Sequence, residues 1–481
     1  MSKHSFLYSL LIFGVGSLAL VGCGISGMSS SSQNASPPTA HNEWVWMGGF
    51  NSRNQLGYYG TEGVLTSNAL PPSRFEPTAW TDHLGSFWLF GGYSTPMGGD
   101  LNDLWVYSQG AWKWVGGSQQ EGQLGVYGAQ GIASEKNIPG ARDDAVGWVD
   151  GSGNLWLFGG FMVGSSISSN DGGIYDDLWK YTNGEWTWVS GTSGSIIPGV
   201  TPGNHGVGVY GKKGVASAAN RPGARYGASE WTDNAGNLWL FGGEGVDSQG
   251  HLGVLNDLWK YDTYTNRWTW MSGSDLVGAK GIYGTIGVSS PLNTPGPRAN
   301  ATSVADNTGN FWLFGGDGAD AYNCHDSHPP CELNDLWKYD TSTNEWTWVG
   351  GSDLNNQVGV YGVEGEPAPE NIPSSRNGAI GWIDSKNDIW IFGGISGVED
   401  LNDLWKYNPA TNEWTWMTGT EKACSASTYG IEGIPAESNT VGARSGAASW
   451  IDASGKLWLF GGESAYCSGP SSYNDLWEYE P

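Results

Sequence analysis

Short apolar runs recur along this chain in a fixed cycle of four, separated by polar, glycine-rich links. The first run carries a tryptophan at Trp80, Trp148, Trp231, Trp382 and Trp450, and Val304 takes that place in the fourth copy. The second reads like Phe87-Trp88-Leu89-Phe90-Gly91-Gly92, with later copies ending at Gly160, Gly243, Gly316, Gly394 and Gly462. The third is Asn/Asp-Asp-Leu-Trp-x-Tyr, ending at Tyr107, Tyr181, Tyr261, Tyr339, Tyr407 and Tyr479. The fourth is a Trp-x-Trp pair at 112/114, 186/188, 268/270, 346/348 and 414/416. An arginine opens each copy: Arg74, Arg142, Arg225, Arg298, Arg376 and Arg444. Runs this short, rich in aromatic and branched residues and bounded by glycine, predict β-strands. A cycle of four strands repeated around a ring predicts a β-propeller.

The sixth copy lacks its Trp-x-Trp pair, and Trp44-Val45-Trp46 stands alone before the first copy. The N-terminal strand is therefore expected to complete the last blade, leaving no open blade at either terminus. The Gly-Gly doublets, the opening arginines, and the Tyr–Trp spacing of Tyr339/Trp346 and Tyr407/Trp414 resemble the Kelch family over residues 42–481. The resemblance implies an all-β, six-bladed Kelch-type β-propeller whose last blade is closed by the N-terminal strand. Two features depart from the family. The arginines are spaced 68, 83, 73, 78 and 68 residues apart, against about 50 for a compact Kelch unit. Tryptophan also replaces smaller residues at several strand positions.

The first residues read as an export signal. Lys3 and His4 precede an apolar stretch from Phe6 to Leu20, and Leu20-Val21-Gly22-Cys23 resembles a bacterial lipobox. This predicts a lipoprotein signal peptide over 1–22, acylation of Cys23, a Ser/Gly-rich tether over 23–41 and the propeller over 42–481. An ordinary secretory signal is the alternative. Gly24 after the cysteine, rather than Asp, points to a lipid-anchored cell-envelope protein at the outer membrane. The net charge is -26, and removal of 1–22 takes away only Lys3. Such an acidic surface excludes nucleic acid as a partner, leaves the lipid anchor as the sole membrane contact, and favours cations or basic partners.

Export also sets the chemistry of the four remaining cysteines. The pairings expected are Cys324–Cys331, across one loop, and Cys424–Cys467. A rival reading puts zinc on Cys324, His325, His328 and Cys331, but four ligands within eight residues are tight for a tetrahedral site.

In four-stranded antiparallel blades the b–c and d–a loops emerge on one face, and the a–b and c–d turns on the other. All the long links here are b–c or d–a: 116–140, 190–224 and 272–297, then 162–175, 244–255 and 317–333. That face is the candidate binding surface. The strands use all 29 tryptophans, so an aromatic platform would have to come from Tyr93, Tyr322, Tyr466 or Phe161. The motif around Tyr59, Tyr127, Tyr210, Tyr283, Tyr361 and Tyr429, once per d–a loop, reads as a dock onto the frame. The arginines could form an anion-binding ring, as in Kelch adaptors for acidic peptides. One aspartate per copy (Asp103, Asp177, Asp257, Asp335, Asp403, Asp475) instead favours six internal ion pairs.

Candidate binding residues are those that break the repeat: Glu244, Asp317 and Glu463 after the Gly-Gly doublets, with Asp247, His251, His325 and His328 in nearby loops. Asp143-Asp144 also stand out after Arg142. These side chains could hold calcium or zinc, although no cofactor is required by the pattern. The leading expectation is a non-enzymatic scaffold that binds a protein or glycan through the loop-rich face. The alternative is an exported carbohydrate-active enzyme resembling sialic-acid mutarotases, with a galactose-oxidase-like copper enzyme behind it. No compact catalytic constellation is legible.

Overall fold

The computed structural model describes residues 42–163, 172–196, 206–319 and 331–481. Among these, six four-stranded antiparallel sheets account for nearly all the regular structure, with one helical turn at Ala465–Ser468. The first sheet runs Thr78–Thr81 (a), Phe87–Phe90 (b), Leu104–Ser108 (c) and Ala111–Gly116 (d). The other inner strands are Val146–Val149, Ser229–Thr232, Thr302–Ala305, Ile380–Ile383 and Ala448–Ile451. Each lies beside the next, and the last lies beside the first, so the sheets form a closed ring. The N-terminal strand Glu43–Gly48 is the outer strand of the sixth sheet, with Trp44 opposite Tyr479 and Trp46 opposite Trp477.

The repeat produces this because each tryptophan has a separate task. In strand a, the Trp80 indole N–H donates to the Trp156 carbonyl of the next sheet, and Trp148, Trp231, Trp382 and Trp450 do likewise. Val304 cannot; in that blade the hydroxyl of Thr302 donates to the Ala379 carbonyl, as Thr78 donates to Ala145 in the first blade beside its tryptophan. In strand b, the Trp88 indole is fixed by Asp82, whose carboxylate also accepts two backbone N–H groups of the a–b turn. The strand-d pair divides. Trp112 packs on Phe460 of the preceding sheet at 5.0 Å, whereas Trp114 meets Tyr59 of its own d–a loop at 5.3 Å. Only the first ring of each Trp-x-Trp pair therefore faces the neighbouring blade, and the second packs on the loop tyrosine.

The long d–a loops are largely structural. Each folds back over strand d of the blade it enters. Gly63, Gly131, Gly214, Gly287, Gly365 and Gly433 donate to the carbonyls of Trp114, Trp188, Trp270, Trp348, Trp416 and Trp46. Asn137, Asn220, Asn293, Asn371 and Asn439 donate to the carbonyl of the other tryptophan of the pair. The loop thus satisfies an edge that would otherwise offer unpaired carbonyls for aggregation. Their length was read as functional; much of it is edge protection.

Closure by residues 43–48 has a direct consequence. Trp44→Ala should lower stability by about 3–5 kcal/mol, the usual cost of truncating a buried large aromatic, since Trp44 is 3 % exposed. Deleting 42–49 should lower the melting temperature further and promote aggregation, measured by thermal unfolding and light scattering.

Candidate functional site

Each opening arginine is buried and pairs with the aspartate of its own blade. Arg74 contacts Asp103 with both terminal nitrogens at 2.7 Å, and the pattern holds at Arg142–Asp177, Arg225–Asp257, Arg298–Asp335, Arg376–Asp403 and Arg444–Asp475. The guanidinium also donates to the first carbonyl of the Gly-Gly doublet, Gly91 in blade 1, and Nε donates to Pro72 two residues back. The aspartate accepts in addition from the loop tyrosine and the strand-c indole, Tyr59 and Trp105 in blade 1, at 2.8 and 2.7 Å. Arginine, aspartate, tyrosine and tryptophan form one satisfied node, six times over. The arginines are consumed by the frame, so they form no anion-binding ring.

Two residues after each arginine the chain turns into the central channel. Glu76, Asp144, Gly227, Asn300, Gly378 and Gly446 all adopt φ between 49° and 63°. Each donates its N–H to the carbonyl of the preceding member, from Asp144→Glu76 round to Glu76→Gly446, at 2.6–3.0 Å. This closed backbone ring encircles the channel mouth at the long-loop end. Glycine is the natural occupant of such a left-handed position. The glycines also make room: a Cβ at Gly446 would lie 2.9 Å from the Glu76 side chain, and one at Gly227 would lie 2.2 Å from Asn300 Oδ1. The three ring members with side chains, Glu76, Asp144 and Asn300, line a cavity of about 200 Å³ with Glu230 of strand a.

The mouth is acidic, and among the described residues lining its cavity there is no lysine, arginine or histidine. Burial, then Asp144, Glu463 and Asp100, push the Glu76 carboxyl well above its ordinary range. Burial raises Asp144 to about 7 despite a hydrogen bond from Asn300, and raises Glu230 to about 8. Asp143 is held up by burial and by Asp100, whose carboxyl lies within hydrogen-bonding range; Asp100 itself is raised by burial to about 6. Glu463 stands at about 7 through burial, Asp400 and Asp144. Half-buried aromatic pairs flank this cluster: Phe75 with Tyr93 at 5.3 Å, and Phe161 with Tyr226 at 5.4 Å.

The candidate residues fare unequally. Glu244 stands opposite Tyr226 in a short antiparallel pair, where burial and then the Glu244 carboxyl raise the Tyr226 phenol. Asp317 is exposed and accepts from the Cys331 N–H. Glu463 joins the mouth cluster. Asp247 is 0 % exposed. Its carboxylate accepts from the N–H groups of Gln249, His251 and Val277, which makes it a turn residue rather than a free ligand. His251 is exposed, its ring 3.2 Å from Asp247. Cys424 and Cys467 form a disulfide between the d–a loop entering blade 6 and that blade's b–c loop. Cys331 is disulfide-bonded, while Cys324, His325, His328, Tyr322 and Cys23 lie outside the described residues. Among the described residues no group of His, Cys, Asp or Glu is placed to hold a metal ion. Glu76, Asp100 and Glu230 were missed as candidates. Aligning the copies two residues after each arginine (Glu, Asp, Gly, Asn, Gly, Gly) is the signal that would have found Glu76.

Comparison with known proteins agrees with this geometry. Residues 212–429 match the KLHDC2/KLHL20/DRC7 Kelch-repeats domain model. Kelch domain-containing protein 10 of Bos taurus and of Homo sapiens are each 24% identical over 301 residues, covering 56% of this chain and 58% of theirs. The Rattus norvegicus counterpart is likewise 24% identical, with 63% of its length covered. The chain thus spans about 58% of the length of the first two relatives. Over residues 212–429 the chain is thus similar to Kelch-repeat domains, and its ring of four-stranded antiparallel sheets is a β-propeller.

The mouth carboxyls make stability pH-dependent. Their folded-state pKa values lie above the unfolded values near 4, so protonation favours the folded state. That contribution is complete below about pH 4 and is lost as pH rises through about 6 for Asp100, 7 for Asp144 and Glu463, and 8 for Glu230. Denaturant unfolding between pH 5 and 8 should show this loss, and Asp144→Asn should flatten it.

Proposed function

We propose that the protein is a non-enzymatic binding scaffold, held at the cell envelope by an acylated Cys23, that engages a protein partner through its long-loop face. Kelch-repeat proteins typically serve as interaction scaffolds, and this supports a protein partner over a glycan. The observation that carries the reading is the division of labour in the frame. Arginines, strand tryptophans and loop tyrosines are spent on packing, and the side chains left over gather at the long-loop mouth. The mouth cavity, about 200 Å³, is smaller than the roughly 300–1,000 Å³ of ordinary small-molecule sites. It suits the tip of a larger ligand better than an enclosed sugar. With Cys424 and Cys467 joined, the tyrosine–cysteine cofactor of a galactose-oxidase-like enzyme has neither thiol to draw on.

The test uses the full chain as bait on membranes of its native organism. Glu244→Gln with Asp317→Asn should reduce partner capture about tenfold, a loss of roughly 1.4 kcal/mol. His83→Ala with Glu345→Gln, on the short-loop face, should leave it unchanged. Loss of capture in the second pair alone contradicts the assignment of the face, and a captured glycan in place of a protein contradicts the partner class. The anchor is tested separately: Cys23→Ser should abolish fatty-acid labelling and release the protein from membranes.

A further inference from the structure

We infer that the groove between blades 2 and 3 is a binding site for a small zwitterion of the α-amino-acid class, with Asp176 receiving the ammonium and Arg221 the carboxylate. The site is separate from the channel mouth and does not depend on the scaffold reading.

Five of the six blades carry a strut that blade 2 lacks. Asn102, Asn256, Asn334, Asn402 and Asn474 stand just before the node aspartate. Each donates its side-chain N–H to a carbonyl of the following d–a loop at 3.1–3.2 Å, that of Pro139 in the case of Asn102. In blade 2 the position is Asp176, and the matching carbonyl is that of the buried Pro222. An ionised carboxylate has no proton to give, so the donor of the strut is missing there. Asp176 keeps only the other half of the task. It accepts from the Thr192 N–H and hydroxyl at 2.7 and 3.2 Å, as Asn102 Oδ1 accepts from the Ser118 N–H. A buried carboxylate and a buried carbonyl left without its donor together suit a positively charged group with several N–H bonds.

The seam is widest where the strut is lost. Asp176 is 5 % exposed and lines a groove of about 800 Å³, within the roughly 300–1,000 Å³ of small-molecule sites. The corresponding groove between blades 6 and 1, where Asn474 keeps its strut on Pro71, holds about 230 Å³. Ala218 and Ala219 line the larger groove, whereas every other copy has bigger side chains at both places, such as Glu135 and Lys136.

Arg221 supplies the opposite charge. Its counterparts in the other d–a loops are Leu70, Ile138, Thr294, Ile372 and Thr440, so the loop entering blade 3 is alone in placing a cation there. Arg221 is exposed on the groove wall, and its Nε donates to the Val207 carbonyl at 3.4 Å. It acts on Asp176 electrostatically, yet among the described residues the two close no ion pair. Burial raises the Asp176 carboxyl, and Arg221 offsets only part of that rise. Two opposite charges that share a groove without meeting can be bridged by a ligand carrying both signs. Its ammonium supplies the N–H that blade 2 lacks, and its carboxylate takes the paired N–H groups of the guanidinium. The rest of the ligand lies along Val189, Val209 and Ala218. A zwitterion brings no net charge, so the -26 of the chain does not repel it as it would an anion.

The experiment is calorimetric titration of the full chain at neutral pH with each of the common L-amino acids. Saturable binding of at least one is expected. Its amide, which lacks the carboxylate, and its N-acetyl derivative, which lacks the ammonium, should each bind about tenfold more weakly or worse. The variants restore what other blades use, so folding is kept. Asp176→Asn returns the strut and should melt at or above the wild-type temperature while weakening the amino acid about tenfold or more. Arg221→Thr, matching Thr294 and Thr440, should weaken the amino acid but not its amide. Absence of saturable binding across the set overturns the inference, as does binding that is equal in wild type and either variant, or derivatives that bind as tightly as the parent. A lower melting temperature for Asp176→Asn would show that Asp176 serves the frame in protonated form, and that also overturns it.

Discussion

At the inner end of every blade a guanidinium is buried against a carboxylate, and most of the architecture is fixed through that contact. The arginine reaches the Gly-Gly turn, the aspartate collects the strand-c indole and the loop tyrosine, and strand b, strand c and the d–a loop meet at one point. A buried ion pair is not in itself a large source of stability, because both partners lose their hydration. Its force here lies in specificity. Bidentate geometry and saturated acceptors allow one arrangement, and breaking either partner leaves a bare charge in the interior.

The remaining constraints follow from that node. With the inner end fixed, the residue two after the arginine is delivered to the channel in a left-handed conformation, and six such residues close into a hydrogen-bonded ring. With the tyrosine fixed, the d–a loop is held where it can cover the outer edge of its blade. The inner ring and the outer cap are thus set by the same contact. The frame absorbs nearly every strongly interacting side chain the repeat supplies. The side chains it does not absorb are carboxylates at the mouth, and their mutual repulsion is where the molecule departs most from an internally satisfied structure.

The repeating parts of this arrangement were legible in the sequence, because a repeat announces its role through position. Trp44-Val45-Trp46 is the missing pair of the sixth copy, and it pairs with Leu476–Glu480. One arginine and one aspartate per copy pointed to the internal ion pairs, and the loop tyrosines pointed to docking. The mouth was harder. Its ring positions are Glu, Asp, Gly, Asn, Gly and Gly, which share a backbone conformation rather than a side-chain type, and sequence pattern reports side chains. Asp100 sits just ahead of the Asn-Asp-Leu-Trp motif, where Asp400 and Glu332 occupy the same place, so it blended into the frame. Asp247 misled for the opposite reason. An acidic residue in a long loop looks free, but its carboxylate is spent on the backbone of its own turn.

The most direct test of the node is a double-mutant cycle at Arg225 and Asp257, followed by urea unfolding at neutral pH. Arg225→Met and Asp257→Asn should each cost about 3–5 kcal/mol, the penalty for leaving one buried charge unpaired. The double variant should cost clearly less than the sum of the two, because neither charge is then stranded. Additive losses, or single variants as stable as the wild type, would contradict the claim that this contact fixes the blade.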